Sequence, residues 1–180
     1  TSTINLTGPS AYFFTDTRTY HDVHFTNTDP GTSTFNGSNS SFHNVSFASN
    51  CSISASGTFN DVSVLGNGSS SINGNNTFHN LILPNSASVT INGNNAFNNL
   101  TLANSATTTI TGTQTFDGNF TCNGTCAIPA SLTGGTLNKT AGSITINYVQ
   151  LLNSTVTGGA VFTANNVTDF GNNNGWNINI

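Results

Sequence analysis

The stretch "INGNNTFHNLIL" (Ile72–Leu83) returns as "INGNNAFNNLTL" (Ile91–Leu102), 19 positions further along the chain. The phrase is poor in charge and rich in asparagine, and its reading decides the fold. Aligned on its aromatic, it extends in both directions. "TYHDVHF" (Thr19–Phe25), "SFHNVSF" (Ser41–Phe47) and "TFNDVSV" (Thr58–Val64) precede it, and "TFDGNFT" (Thr115–Thr121) follows. The anchors Tyr20, Phe42, Phe59, Phe78, Phe97 and Phe116 are separated by 22, 17, 19, 19 and 19 residues. Ile53, Ile72, Ile91 and Ile110 are 19 apart, each six residues before its Phe.

A period near 20 that is held in residue type signals a solenoid. A leucine-rich repeat needs Leu-rich strands with a helix or 3₁₀ turn, and nothing here reads as one. A parallel β-helix fits, with short strands separated by turn-forming stretches such as "NGNN", "GNGS" and "PNSAS". The predicted fold is all-β: a single-stranded parallel β-helix of about eight coils with ~19-residue repeats, about 40 Å long at the usual strand spacing. It is read as one domain over residues 1–180, with regular coils over about 19–128 and less regular coils and a cap over 129–180.

Composition agrees. Asn, Thr and Ser make up 82 of the 180 residues, and only 4% are charged, against about 25% in ordinary soluble domains. These residue types disfavour helix. Thirteen Phe and a net charge of only −4 argue against disorder. Two basic residues cannot supply the electrostatic footprint of nucleic-acid binding. No apolar run approaches a membrane span, so no membrane insertion is expected. The opening "TSTINLTGPSAYFF" lacks the basic flank and apolar core of a signal peptide, and the chain contains no Met, as a processed chain or excised fragment would.

Strand alternation assigns the faces. In the Ile phrase, Cys51 and Ile53, Ser70 and Ile72, Val89 and Ile91, and Thr108 and Ile110 point inward. Together with Phe42, Phe59, Phe78, Phe97 and Phe116, Ile53, Ile72, Ile91 and Ile110 form the expected core ladder. In the Phe phrase, the aromatic and the later Val or Leu cannot both face inward by strict alternation. A bend at Asp22, Asn44, Asp61, Asn80 and Asn99 resolves this, and these stacked side chains are expected to form a corner ladder of hydrogen bonds. Trp176 is assigned to the cap that a solenoid end requires.

The closing segment "TGGAVFTANNVTDFGNNNGWNI" (Thr157–Ile178) resembles the C-terminal coil of repetitive β-solenoid proteins secreted by bacteria or carried by phages. The "FNNLTL" phrases are similar to those of adhesin-type and autotransporter-type β-helices. The resemblance implies an extracellular, cell-surface or virion-surface setting, and it carries no catalytic motif.

Candidate sites are few. Six Asp are present: Asp16, Asp22, Asp29, Asp61, Asp117 and Asp169. Glycosidases need two carboxyl groups about 5–9.5 Å apart. Asp22 and Asp61 share a corner two coils apart, hence roughly 10 Å, and a structural role accounts for both. Lys139 and Arg18 lie too far apart in the rod to serve a lyase, so the chain does not read as an enzyme. Asp16, Arg18, His21, Asp22 and His24 crowd into nine residues, either as a small ligand site or as a polar coil with a local Asp–Arg pair. His21 and His43 fall on adjacent coils as candidates for a shared metal. Two ligands make a weak site, and exposed imidazoles ordinarily serve only as surface, so no metal or other cofactor is expected. Outward Ser52, Ser71, Thr90 and Thr109 form a flat, uncharged face, a candidate for glycans, a neighbouring subunit or, as on Thr-rich solenoid antifreeze faces, ice.

The cysteines are Cys51, Cys122 and Cys126. The spacing "TCNGTC" suits a small disulfide loop or a zinc half-site, but no second ligand pair answers the latter. A Cys122–Cys126 disulfide is therefore expected, with Cys51 as a buried free thiol and Cys126 in its column four coils away. The expected function is a non-enzymatic structural or adhesive rod that self-associates or touches a host-surface glycan.

Overall fold

The computed structural model describes residues 3–8, 11–15, 17–26 and 31–180. Among these, all regular structure is β, wound into a parallel solenoid of about eight turns with ~19-residue spacing. Among the described residues, seventeen strands join in one continuous ladder, and Ser143–Asn147, Val161–Asn165 and Asn177–Asn179 form a second, smaller sheet. Parallel pairing demands a long crossover between partners. Here the crossover is the rest of the coil.

The register stacks like on like. Tyr20 pairs with Phe42, Phe42 with Phe59, Phe59 with Phe78, Phe78 with Phe97, and Phe97 with Phe116. Their rings stack with centroids 5.2, 5.0, 5.0, 5.3 and 5.5 Å apart in that order. A second column runs Phe35, Ile53, Ile72, Ile91, Ile110. A third runs Val23, Val45, Val62, Leu81, Leu100, Phe120. All three are buried except for half-buried Tyr20 at the first column's start. Each offset ring pair adds about 0.5–1.5 kcal/mol beyond its area burial.

The corners are built from small and amide residues. Gly74, Gly93 and Gly112 have φ of 105°, 90° and 78°. A Cβ at Gly93 would overlap the Gly74 carbonyl oxygen, and one at Gly112 the Gly93 carbonyl oxygen. Glycine is required there on both counts. A register shift between Ser38 and Ser41, where Asn39 takes φ 59°, changes the offset between these two coils from 18 to 17 residues.

The repeat does not fade after Phe120, where its letters do. Thr107 pairs with Ser131, an offset of 24, because the stretch after Thr121 carries an insertion. Then Ala130 pairs with Val149 and Thr136 with Thr155, both at 19 again. The aromatic column meets Lys139 one coil after Phe116, since Thr115 pairs with Asn138 and Lys139 with Gly158. Lys139 is buried, and its ammonium donates to the carbonyls of Asp117 and Gly118 at 2.6 and 2.7 Å. Near the C-terminal end, Trp176 lies edge-on to Phe162 at 5.6 Å and donates from Nε1 to Ser154 Oγ at 3.3 Å.

The cysteine expectation is corrected. All three thiols are free, with Cys51 and Cys122 buried and Cys126 exposed. Phe120 pairs with Leu100 and Thr121 with Thr101, an offset of 20, because the corner at Gly118–Asn119 holds one extra residue. That residue turns Cys122 inward, at the position after the pair that leads to Leu102. Cys126 and Ile128 stand in the inserted loop, exposed, and not in the column of Cys51.

Candidate functional site

The expected corner ladder forms, in two runs. Asn44 Nδ2 donates to Asp22 Oδ1 at 2.7 Å. Asn80 Nδ2 donates to Asp61 Oδ1 at 2.6 Å, Asn99 Nδ2 to Asn80 Oδ1 at 2.9 Å, and the Asn119 amide to Asn99 Oδ1 at 2.9 Å. Each amide donates toward the N-terminal coil. An ionised carboxylate has no proton to pass on, so Asp61 begins a new run. Asp22 and Asp61 both serve as ladder acceptors, two coils apart. Asp16 and Asp29 lie outside the described residues.

A second amide ladder runs inside the coil, where the sequence reading placed only a turn. Asn76, Asn95 and Gln114 are buried. Asn76 Nδ2 donates to Asn95 Oδ1 at 3.1 Å, and Asn95 Nδ2 donates to Gln114 Oε1 at 3.0 Å. The remaining groups tie to the corner backbone. The Asn76 amide donates to Asn95 Oδ1 at 3.0 Å, and Gln114 Nε2 donates to the Gly93 carbonyl at 2.8 Å. A buried polar network of this kind fixes a unique arrangement because each unmade bond is costly. The signal was present in the sequence. Asn76, Asn95 and Gln114 are 19 apart and two residues before each Phe, on the inward parity.

Outside the aromatic column the surface is hollowed. One hollow of about 590 Å³ lies over Tyr20 and Phe42, between Thr19 and Ser41 on one side and His21 and His43 on the other. A second, of about 320 Å³, continues over Phe59, Phe78 and Phe97, with His79 and Asn98 on its rim. Phe42 and Asn60 line both, so the two follow one column along the rod. Strand alternation gives this surface its make-up: the ring points in, and its two chain neighbours point out.

Among the described residues, the N-terminal part of that rim gathers two imidazoles and a carboxylate. The His21 and His43 rings stack at 4.6 Å with 17° between their planes. His21 Nδ1 lies 2.8 Å from Asp22 Oδ2. The hydrogen bond with His21, then that from Asn44, holds the Asp22 carboxyl below the usual carboxylate range. Beyond the corner at Asp22, His24 Nδ1 is 2.6 Å from Ser46 Oγ. One coil set on, His79 Nδ1 stands 3.9 Å from Asp61 Oδ1, with Asn60 and Asn98 as column neighbours in place of a second imidazole.

The flat face is present too. Ser52 pairs with Ser71, Ser71 with Thr90, and Thr90 with Thr109. Its hydrogen-bonding groups partly satisfy one another: Ser71 donates to Ser52 at 3.1 Å, Asn92 to Asn73 at 2.7 Å, and Thr111 to Asn92 at 2.7 Å. On the reverse of this strand, the buried Thr108 hydroxyl makes no hydrogen bond of normal geometry. Burial pushes the Cys51 and Cys122 thiols up to about 12, against a weaker opposing influence of the neighbouring Ser70 and Thr108 hydroxyls respectively.

Comparison with protein-family models, with curated proteins and with solved structures finds no match to this chain.

Proposed function

We propose that the chain is a non-enzymatic structural and adhesive module, a stiff β-helix rod of a phage fibre or spike or of a bacterial surface fibre, which contacts a glycan or a partner subunit. The observation that carries this reading is the hollowed surface along the aromatic column. It is uncharged over most of its length, and it is repeated coil by coil. Amides and hydroxyls on its rim both donate and accept, which suits the hydroxyls of a sugar chain. An active site is needed once, whereas this surface recurs with the repeat. The extracellular setting rests on the resemblance of Thr157–Ile178 and of the "FNNLTL" phrases to secreted and phage-borne solenoids.

Glycan-array binding together with light scattering and electron microscopy tests the proposal. Expected are particles larger than one chain, or retention on polysaccharide that weakens when Asn98 on the rim is replaced by a bulky residue. A strictly monomeric protein that cleaves a polysaccharide would sink the reading. The in-register Ser52–Ser71–Thr90–Thr109 column favours one alternative, ice binding. That reading requires thermal hysteresis that falls when Thr109 is made bulky.

A further inference from the structure

We propose that His21, His43 and Asp22 form a transition-metal site that clamps two adjacent coils at the N-terminal end of the rod. The potential ligand atoms of these three residues all lie within 4.8 Å of one another. Zinc-type bonds to imidazole nitrogen and carboxylate oxygen are about 2.0–2.2 Å long and tetrahedrally arranged, so two ligands of one ion stand about 3.4 Å apart. Closing the remaining gap, up to about 1.4 Å, takes side-chain rotations that unstack the two imidazoles. His43 is exposed and His21 half-exposed, so both rings have room to turn. The register supplies the pairing, since Tyr20 opposes Phe42 and Asp22 opposes Asn44, which leaves the two imidazoles side by side on neighbouring coils.

The outer shell is already built. Asn44 holds one Asp22 oxygen by a 2.7 Å bond, which leaves the other turned to His21 at 2.8 Å. Hydrogen-bonded partners of this kind orient the ligands, and their loss typically weakens metal binding about 10–100-fold. Two imidazoles and one carboxylate suit Zn²⁺, Ni²⁺ or Cu²⁺ rather than the oxygen-seeking Mg²⁺ or Ca²⁺. Water would complete the coordination. The chain also carries its own control. His79 and Asp61 occupy the equivalent corner, but their neighbours are amides, so they offer one imidazole where the proposed site offers two.

Calorimetric titration of the purified chain with Zn²⁺, and electron paramagnetic resonance of the Cu²⁺ form, test the proposal. Expected is one saturable Zn²⁺ site and a Cu²⁺ spectrum with hyperfine coupling from two nitrogens. His21→Ala and His43→Ala each abolish the site, Asn44→Ala weakens it about tenfold or more, and His79→Ala leaves it unchanged. Zn²⁺ also raises the melting temperature of the wild-type chain and of His79→Ala, but not of His43→Ala. Absence of saturable Zn²⁺ binding by the wild-type chain would overturn the proposal, as would binding that survives in His43→Ala or is lost equally in His79→Ala. The copper spectrum is read on unaltered protein, so it decides the matter even if a variant fails to fold.

Discussion

The interior amide ladder supports a sharp contrast between Asn95→Ala and Asn99→Ala. Both remove one amide from a column of amides 19 residues apart, but one column is inside and the other half-exposed. Asn95 Oδ1 accepts from the Asn76 backbone amide at 3.0 Å and from Asn76 Nδ2 at 3.1 Å. Asn95 Nδ2 donates to Gln114 Oε1 at 3.0 Å and to the Asn92 carbonyl at 3.3 Å. Truncation strands the Asn76 N–H and Gln114 Oε1, while Asn76 Nδ2 keeps its 3.2 Å bond to the Asn73 carbonyl. A stranded buried group costs about 1–3 kcal/mol, so two of them cost roughly 2–6 kcal/mol. Asn99 makes one bond to Asn80 and receives one from the Asn119 amide, and water can replace both. Its loss should cost about 0.5–1.5 kcal/mol. At about 2–4 °C per kcal/mol for a chain of this size, Asn95→Ala should melt at least several degrees below Asn99→Ala. Because solenoid coils can open in part, hydrogen exchange of the Asn76 amide should accompany the melting curves, with protection lost only in Asn95→Ala. Equal destabilisation by the two substitutions, or unchanged protection at Asn76, would refute the assignment of an interior ladder.

Thr108→Val should stabilise the chain by about 1 kcal/mol, because it removes a buried hydroxyl without a proper partner and matches Val89 one coil earlier in the same column; denaturant titration would show a higher midpoint. Gly93→Ala should cost more than about 2 kcal/mol, from the positive φ and from overlap with the Gly74 carbonyl oxygen, and is read by the same titration. Thiol labelling of the native protein should mark Cys126 alone, with Cys51 and Cys122 reacting only on unfolding; an intact-mass increment of two labels in the native state would contradict their burial. The same two thiols bear on pH. Their folded pKa values lie near 12, above the ordinary 9.0, so their contribution to stability is complete below pH 9 and is lost as pH rises from 9 to 12. The slope is at most about 1.4 kcal/mol per pH unit for each thiol, and Cys51→Ala should flatten the alkaline limb of the stability curve.

The columns were legible because one residue type recurs at one interval, and stacked coils put equal positions on top of one another. Phe78 and Ile72 could be placed inside from spacing and parity alone. The corner at Asn80 followed from a conflict of parity that only a bend resolves. What escaped the reading was local geometry that changes the count. One additional residue at Gly118–Asn119 reverses the face of Cys122, and a disulfide inferred from spacing disappears with it. Asn76 and Asn95 were missed because they close the turn-forming stretch "NGNN", although parity places them inside, and Gln114 takes the same position one coil on. Lys139 broke the pattern of letters while keeping its place in the column. Its stem is apolar and its charged tip finds two carbonyls, a dual character of long basic side chains that a count of hydrophobic residues overlooks.

The insertion after Thr121 has a bearing on engineering. The ladder resumes its step on the far side, so the coil measures only where the chain leaves and re-enters, not how much chain lies between. That corner is thus a splice point, and additional loops could be grafted there at small entropic cost, since closure rises only slowly with length. Cys126 stands in this loop as the exposed thiol. The rod therefore offers an addressable handle partway along its length, where a label, a tether or a foreign epitope could be mounted without disturbing the stacked core.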